Sequence, residues 1–269
     1  MDRTIAIASG KGGVGKTSLA VSLATAFAGL GERTWLIDAD LGLGNVDVLC
    51  GATPRWSIAD VVDGRARLTD VAHPVASNLA IVPGGSGLAS MADLGEMQRE
   101  RLLTELAAAE STLDRLLIDC GAGIGRSVLG FCAAAHRVLV VVTPDPASMV
   151  DAYGFIKSLH RVSPAQRIDL LVNQCEGPLE ATSLHGRIDG VARTHLGREI
   201  GLSGWIPRDS AVQVSARTRR PFVSAAPQAP ASVAVADLAR TLARTDQPAQ
   251  PEPEPMGFAK RFAAWLSGS

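Results

Sequence analysis

Short apolar runs recur along the chain at Thr4–Ser9, Thr34–Asp38, Leu79–Val82, Arg115–Asp119, Arg137–Thr143 and Arg167–Asn173. They consist mostly of Ile, Val, Leu and Ala and do not alternate with polar residues. Strands covered on both faces read this way, whereas a strand with one wet face alternates. Between the runs, apolar positions recur at helical spacing over Lys16–Leu30, Asp93–Glu110, Ser127–Ala135, Ser148–His160 and Ser183–Leu196. Gly29-Leu30-Gly31 supplies a helix stop before the second run. The repeated strand-then-helix order predicts an α/β fold: a doubly wound, mostly parallel sheet with helices on both faces. Ligands of such sheets bind at the carboxyl ends of the strands.

The pattern changes after residue 245. Asp246–Pro255 (DQPAQPEPEP) is rich in Pro, Gln and Glu and reads as a solvated linker. In Met256–Ser269, Phe258, Phe262, Trp265 and Leu266 fall at i, i+4, i+7 and i+8, with Lys260 and Arg261 elsewhere. The expected organisation is a domain over 1–245, a linker over 246–255 and an amphipathic membrane-targeting tail over 256–269. The alternative for the tail is a helix folded back onto the domain. Four apolar side chains at about 1.5–3 kcal/mol each would make a reversible anchor to an anionic membrane surface.

Composition narrows the classes. The 269 residues are 46% hydrophobic and 20% charged, with a formal net charge of −1. This excludes global disorder and argues against a broadly basic surface, so nonspecific DNA is not an expected partner. The four cysteines (Cys50, Cys120, Cys132, Cys175) are far apart, and the five histidines lack metal-ligand spacing. Neither zinc nor a disulfide framework is expected. With no signal-peptide layout and no run long enough to span a bilayer, the expected location is the cytoplasm.

The candidate chemistry begins at Gly10-Lys11-Gly12-Gly13-Val14-Gly15-Lys16-Thr17, which matches GxxxxGK[ST] between a predicted strand and a predicted helix. Glycines let the backbone point N–H groups at phosphate oxygens, and the helix start adds a favourable dipole. Lys16 can reach the β- and γ-phosphates, and the Thr17 hydroxyl can ligate Mg²⁺. Lys11 is an additional lysine; spacing alone leaves it either a surface charge or a reach toward a nucleotide on another subunit. Asp38 and Asp40 end the second run, and Asp119 ends a run preceded by four apolar residues. Carboxylates there can hold Mg²⁺ or orient water. Asp40 is the expected water-orienting residue, with Thr17, Asp38 and Asp119 in the metal network. Gly121 and Gly123 give the following loop room to move when a γ-phosphate arrives. Cys120 in that loop reads as a small buried thiol before a redox sensor.

KGGVGKTS at 11–18, DADLG at 38–42 and DCGAG at 119–123 together resemble the deviant-Walker ATPases of the MinD/ParA family, over nearly the whole domain. GLGNVDVLCG at 42–51, IVPGGSGLASMADL at 81–94 and DCGAGIGRSVLGF with VVVTPDPASMVDAYGFIK in 119–157 resemble the flagellar-number regulators of the FlhG/FleN type. Division-site regulators usually carry proline where Gly121 stands. The resemblance implies an ATP-sandwich homodimer, closed by ATP and opened by slow hydrolysis to ADP. Lys11 would contact the partner's nucleotide, Ser18 would complete the phosphate loop, and Asn173, Pro207 and Asp209 would surround the adenine. It also implies a flagellar regulator or basal-body protein as partner, and a peripheral place at the inner face of the cell membrane. Such regulators often carry a DQAxxLR-like segment ahead of the first strand; none precedes Thr4 here, so stimulation of a partner GTPase is not carried over. Division-site placement and ParA-like DNA segregation are the competing roles. A third is an ATP state that merely gates binding to a transcription activator.

Overall fold

In a computed structural model, the described residues are 3–40, 44–85, 94–245 and 256–267. The linker lies outside them, as do residues 86–93 of the IVPGGSGLASMADL segment and residues 41–43. The elements run β1 (Thr4–Ser9), α1 (Lys16–Gly29), β2 (Thr34–Ala39), α2 (Val46–Leu49), α3 (Ile58–Val62) and α4 (Leu68–Val71). They continue with β3 (His73–Ala76), β4 (Leu79–Val82), α5 (Glu96–Glu110), β5 (Arg115–Ala122), α6 (Arg126–Ala134), β6 (Arg137–Val142) and α7 (Pro146–Val162). Last come β7 (Arg167–Cys175), α8 (Pro178–Leu196), β8 (Gly201–Pro207), α9 (Ser210–Arg217), α10 (Phe222–Ala225), α11 (Pro230–Thr245) and α12 (Phe258–Ser267).

Among the described residues, eight strands form one sheet in the order β3-β4-β2-β5-β1-β6-β7-β8, in which the pair of β3 and β4 alone is antiparallel. Alternate residues of each strand feed two separate cores. Ala6, Ala8 and Ile118 face the layer of α3–α8, while Ile5, Ile7 and Leu117 face α1 and α11. Burial on both sides explains why the strands lack polar alternation. Because seven strands run the same way, the carboxyl ends of β1, β2, β5 and β7 share one edge. Register finishes the placement: Asp38 sits directly beside Asp119, and Ile7 of β1 lies on the other side of Asp119.

All six expected strands and five expected domain helices are present within a few residues. The strands β3 and β8 and the helices α2–α4 and α9–α11 are additions. The tail forms a helix, but it is docked rather than detached: it packs against α5 and α6 as part of the core. Among the described residues, no helix is long and apolar enough to cross a membrane.

Candidate functional site

The loop between β1 and α1 is shaped by its glycines. Gly15 has φ +87°, a left-handed conformation that glycine adopts without strain. It also accepts the close approach of Asn173, whose amide nitrogen would lie 2.6 Å from a Cβ at this position. At Gly10 a Cβ would collide with the Asp151 carbonyl of α7. The Ser9 hydroxyl donates to the Lys11 carbonyl (2.8 Å), bending the chain out of β1. No side chain caps the start of α1. Its first N–H groups therefore face the loop as an anion-binding end.

Lys16 is buried and forms an ion pair with Asp119 (Nζ to Oδ1, 2.9 Å). Burial raises the Asp119 pKa; Lys16 and the Thr17 hydroxyl pull it back down, and Asp40 pushes it up. Asp38 accepts from the N–H groups of Asp40 (3.1 Å) and Val46 (3.2 Å). Even so, its pKa is raised to about 7, first by burial and then by the charge of Asp119. Asp40 is half-buried, with a carboxylate oxygen 3.6 Å from where a Gly121 Cβ would stand. Several carboxylates thus converge beside a single buried lysine, and like charges held together favour an added cation.

This arrangement fits Mg²⁺ carried in with phosphate. Among the described residues, no group of three His, Cys, Asp or Glu side chains could hold a metal alone. Mg²⁺ usually completes its shell with phosphate oxygens and waters. Thr17, Asp38 and Asp119 are the side chains that would hold it.

Lys11 lies apart from Lys16. It is half-exposed at the rim and paired with Asp145 (2.6 Å). Asp145 also caps α7 by accepting from Ser148 N (3.0 Å), and the Lys11 contact is the main cause of its lowered pKa. Nothing in sequence spacing points to Asp145, because 134 residues separate the pair.

Of the residues expected around the adenine, Asn173 donates from its amide nitrogen to the Val14 carbonyl (2.7 Å), tying β7 to the phosphate loop. Pro207 ends β8 beside Cys175. Asp209 caps α9 through Ala211 N (2.9 Å) and holds α11 through Ala231 N (3.1 Å). Its carboxylate is engaged in packing α9 and α11 together. Ser18 lines a cavity of about 10 Å³ between α1, α9 and α10, room for about one water. Arg219 has φ +54°, a left-handed conformation that is uncommon for a residue with a side chain. Cys120 is buried, with its sulfur 3.8 Å from that of Cys132.

The tail residues meet the domain, not solvent. Phe258, Phe262 and Leu266 are buried, and Trp265 is partly covered. Phe131 of α6 stacks on Phe262 with ring centroids 5.0 Å apart. Of the two expectations for the tail, this structure has the helix folded back onto the domain. The face is covered because α5 and α6 supply an apolar surface within the chain's own reach.

The raised Asp38 pKa sets a pH dependence. The unfolded group titrates near 3.8 and the folded one at about 7. The folded chain therefore holds the extra proton between these values. This stabilising contribution is full below about pH 4 and is lost as pH rises through about 7. Asp38→Asn removes the charge and keeps one of the two oxygens that accept from Asp40 N and Val46 N. Between pH 4 and pH 8 the nucleotide-free variant is expected to gain on wild type by up to about 4 kcal/mol. Denaturant unfolding at the two pH values measures this; a pH-independent difference contradicts it.

A family model described as an AAA domain matches residues 2–172. "Antiactivator FleN" of Pseudomonas aeruginosa is 40% identical over 260 residues, covering 97% of this chain and 93% of that protein. "Flagellum site-determining protein YlxH" of Helicobacter pylori is 31% identical, covering 83% of this chain and 76% of that protein. Among solved structures, a chain of the MinC:MinD cell division protein complex of Aquifex aeolicus superposes with a TM-score of 0.73 at 27% identity. It covers 93% of this chain and 100% of that one. A Pyrococcus horikoshii MinD complexed with Mg-ADP shares the fold at 21% identity, with a TM-score of 0.72 over 89% of this chain and 95% of that one.

Proposed function

Since this chain belongs to the MinD/ParA family of P-loop ATPases, and is an ATP hydrolase, we propose that it regulates flagellar number and placement through an ATP-dependent dimer that binds the membrane surface. The observation that carries the reading is the separation of the two lysines. One loop needs one lysine for its own phosphates, and buried Lys16 serves it. Lys11 stands at the rim, held by an exposed carboxylate, where exchanging Asp145 for a partner's nucleotide is inexpensive.

In this reading, ATP draws Lys16 from Asp119 to the terminal phosphates. Thr17, Asp38 and Asp119 would hold Mg²⁺, which would supply positive charge to the carboxylates and phosphates, and Asp40 would orient the attacking water. Gly121 and Gly123 let the following loop close. Lys11 of each protomer leaves Asp145 for the facing nucleotide, and hydrolysis removes the group that both lysines grip.

The tail must then exchange one apolar surface for another. The same side chains are buried in the groove and in lipid, so most of their transfer free energy cancels. A small bias decides between them, and two tails on one dimer can add roughly 10²–10⁴ in avidity. Wild type is expected to co-sediment with vesicles containing anionic lipid in ATP and to stay in solution in ADP. Phe262→Glu is expected to stay in solution in both. Co-sedimentation of that variant in ATP would show that the tail is not the membrane element.

A second reading has one observation behind it. The name of the Pseudomonas relative says that it counters an activator. The ATP state could gate binding to a transcription activator without turnover; unchanged flagellar counts in cells carrying Asp40→Ala would favour this.

A further inference from the structure

The tail touches the nucleotide end of the molecule through one helix. Helix α6 begins at Arg126, directly after the 123–125 turn that leaves the end of β5, the strand that carries Asp119. The Arg126 guanidinium lies over the Trp265 ring, 5.8 Å from its centroid. One turn further, a Cβ on Gly130 would stand 2.5 Å from a carbon of the same ring. Phe131 follows, stacked on Phe262. The start of the tail is held independently. Glu110, closing α5, accepts from Phe258 N (2.7 Å) and Ala259 N (3.3 Å). Arg261 donates to the Ala133 carbonyl (3.2 Å) and to Gln166 (3.1 Å).

We infer that α6 couples the two sites: the docked tail and a terminal phosphate favour different positions of its first turn, with Arg126 and Gly130 as the contacts that carry the effect. The inference rests on the proposed ATP-driven release and adds its converse. Arg126 is joined through the 123–125 backbone to the loop that packs against Asp40, so it cannot stay fixed on Trp265 while that loop closes. Gly130 is the point of closest approach; without a side chain there, the indole lies directly on the α6 backbone. Coupling between binding sites is reciprocal. If a triphosphate weakens docking by some factor, docking weakens the triphosphate by the same factor. The docked tail is thus a brake on ATP binding as well as a sequestered anchor. A diphosphate, lacking the group the loop senses, escapes the brake.

Gly130→Ala in the full chain tests this, with Arg126→Ala and Trp265→Ala beside it. Hydrogen exchange of the 258–266 amides reports docking. Calorimetry with Mg²⁺ and either AMP-PNP or ADP reports the other site. Gly130→Ala and Trp265→Ala are expected to lose tail protection without nucleotide and to bind AMP-PNP more tightly by about 5- to 150-fold, the range usual for such coupling. Arg126→Ala should shift both readouts in the same direction by less. ADP affinity should not change, which also shows that each variant is folded. Two results would overturn the coupling: an open tail with unchanged AMP-PNP affinity, or equal shifts for both nucleotides. A wild-type tail that stays protected in AMP-PNP defeats the release reading itself, a separate failure.

Discussion

Lys16→Ala is expected to lose ATP hydrolysis by at least about 10²–10³-fold and to unfold more readily than wild type. The first effect follows from removing the cation that meets charge on the transferring phosphoryl group. The second follows from the ion pair with Asp119, whose two side chains are 8% and 1% exposed. Removing one partner of a buried pair leaves an uncompensated charge, at a cost of about 3–5 kcal/mol. Asp119 can soften this by taking up a proton, since its pKa is already raised. The loss should therefore be larger at pH 8 than at pH 5. Adding Asp119→Asn to Lys16→Ala should restore much of the stability and none of the hydrolysis. Denaturant unfolding and phosphate release measure the two effects. Unchanged stability in the single variant would mean that the pair does not hold the apo site together.

Asp40→Ala is expected to behave in the opposite way. Orienting water is worth roughly 10²–10⁴-fold in rate, so hydrolysis should fall by that order. Stability should not fall, because Asp40 is a source of like charge that raises the pKa of both Asp38 and Asp119. ATP binding should remain, since the grip belongs to the loop and its lysines. A variant that hydrolyses normally would remove Asp40 from the chemistry. One that loses ATP binding altogether would give it a different role.

The contrast between these two neighbours shows what the sequence could and could not convey. Strands buried on both faces announce themselves as unbroken apolar runs, so β1, β2, β5, β6 and β7 were legible. With them came the shared edge that gathers Lys16, Asp38, Asp40 and Asp119. β3 (His73-Pro74-Val75-Ala76) was not legible: it is a short edge strand with alternating exposure and a proline, a weak signal by nature. Helix α11 carries a helical repeat at Ala231, Val235, Leu238 and Leu242, all buried. The pairs of Lys11 with Asp145 and of Glu110 with the tail's first amides had no sequence signal. Each joins residues more than 130 positions apart through tertiary packing. The tail illustrates a deeper limit. An amphipathic helix specifies that one face must be covered, not by what. The α5–α6 groove covers the four side chains that the sequence pattern assigns to a membrane surface.

The central claim is that the terminal phosphate, gripped by one loop with lysines from two chains, holds two copies together. Sedimentation velocity of Asp40→Ala with Mg²⁺ and ATP tests it most directly, with binding confirmed by calorimetry in the same buffer. The expected result is a species of about twice the 28.0 kDa chain mass in ATP, reverting to the monomer in ADP or on adding Lys11→Ala. A 28.0 kDa monomer with ATP demonstrably bound would contradict the account.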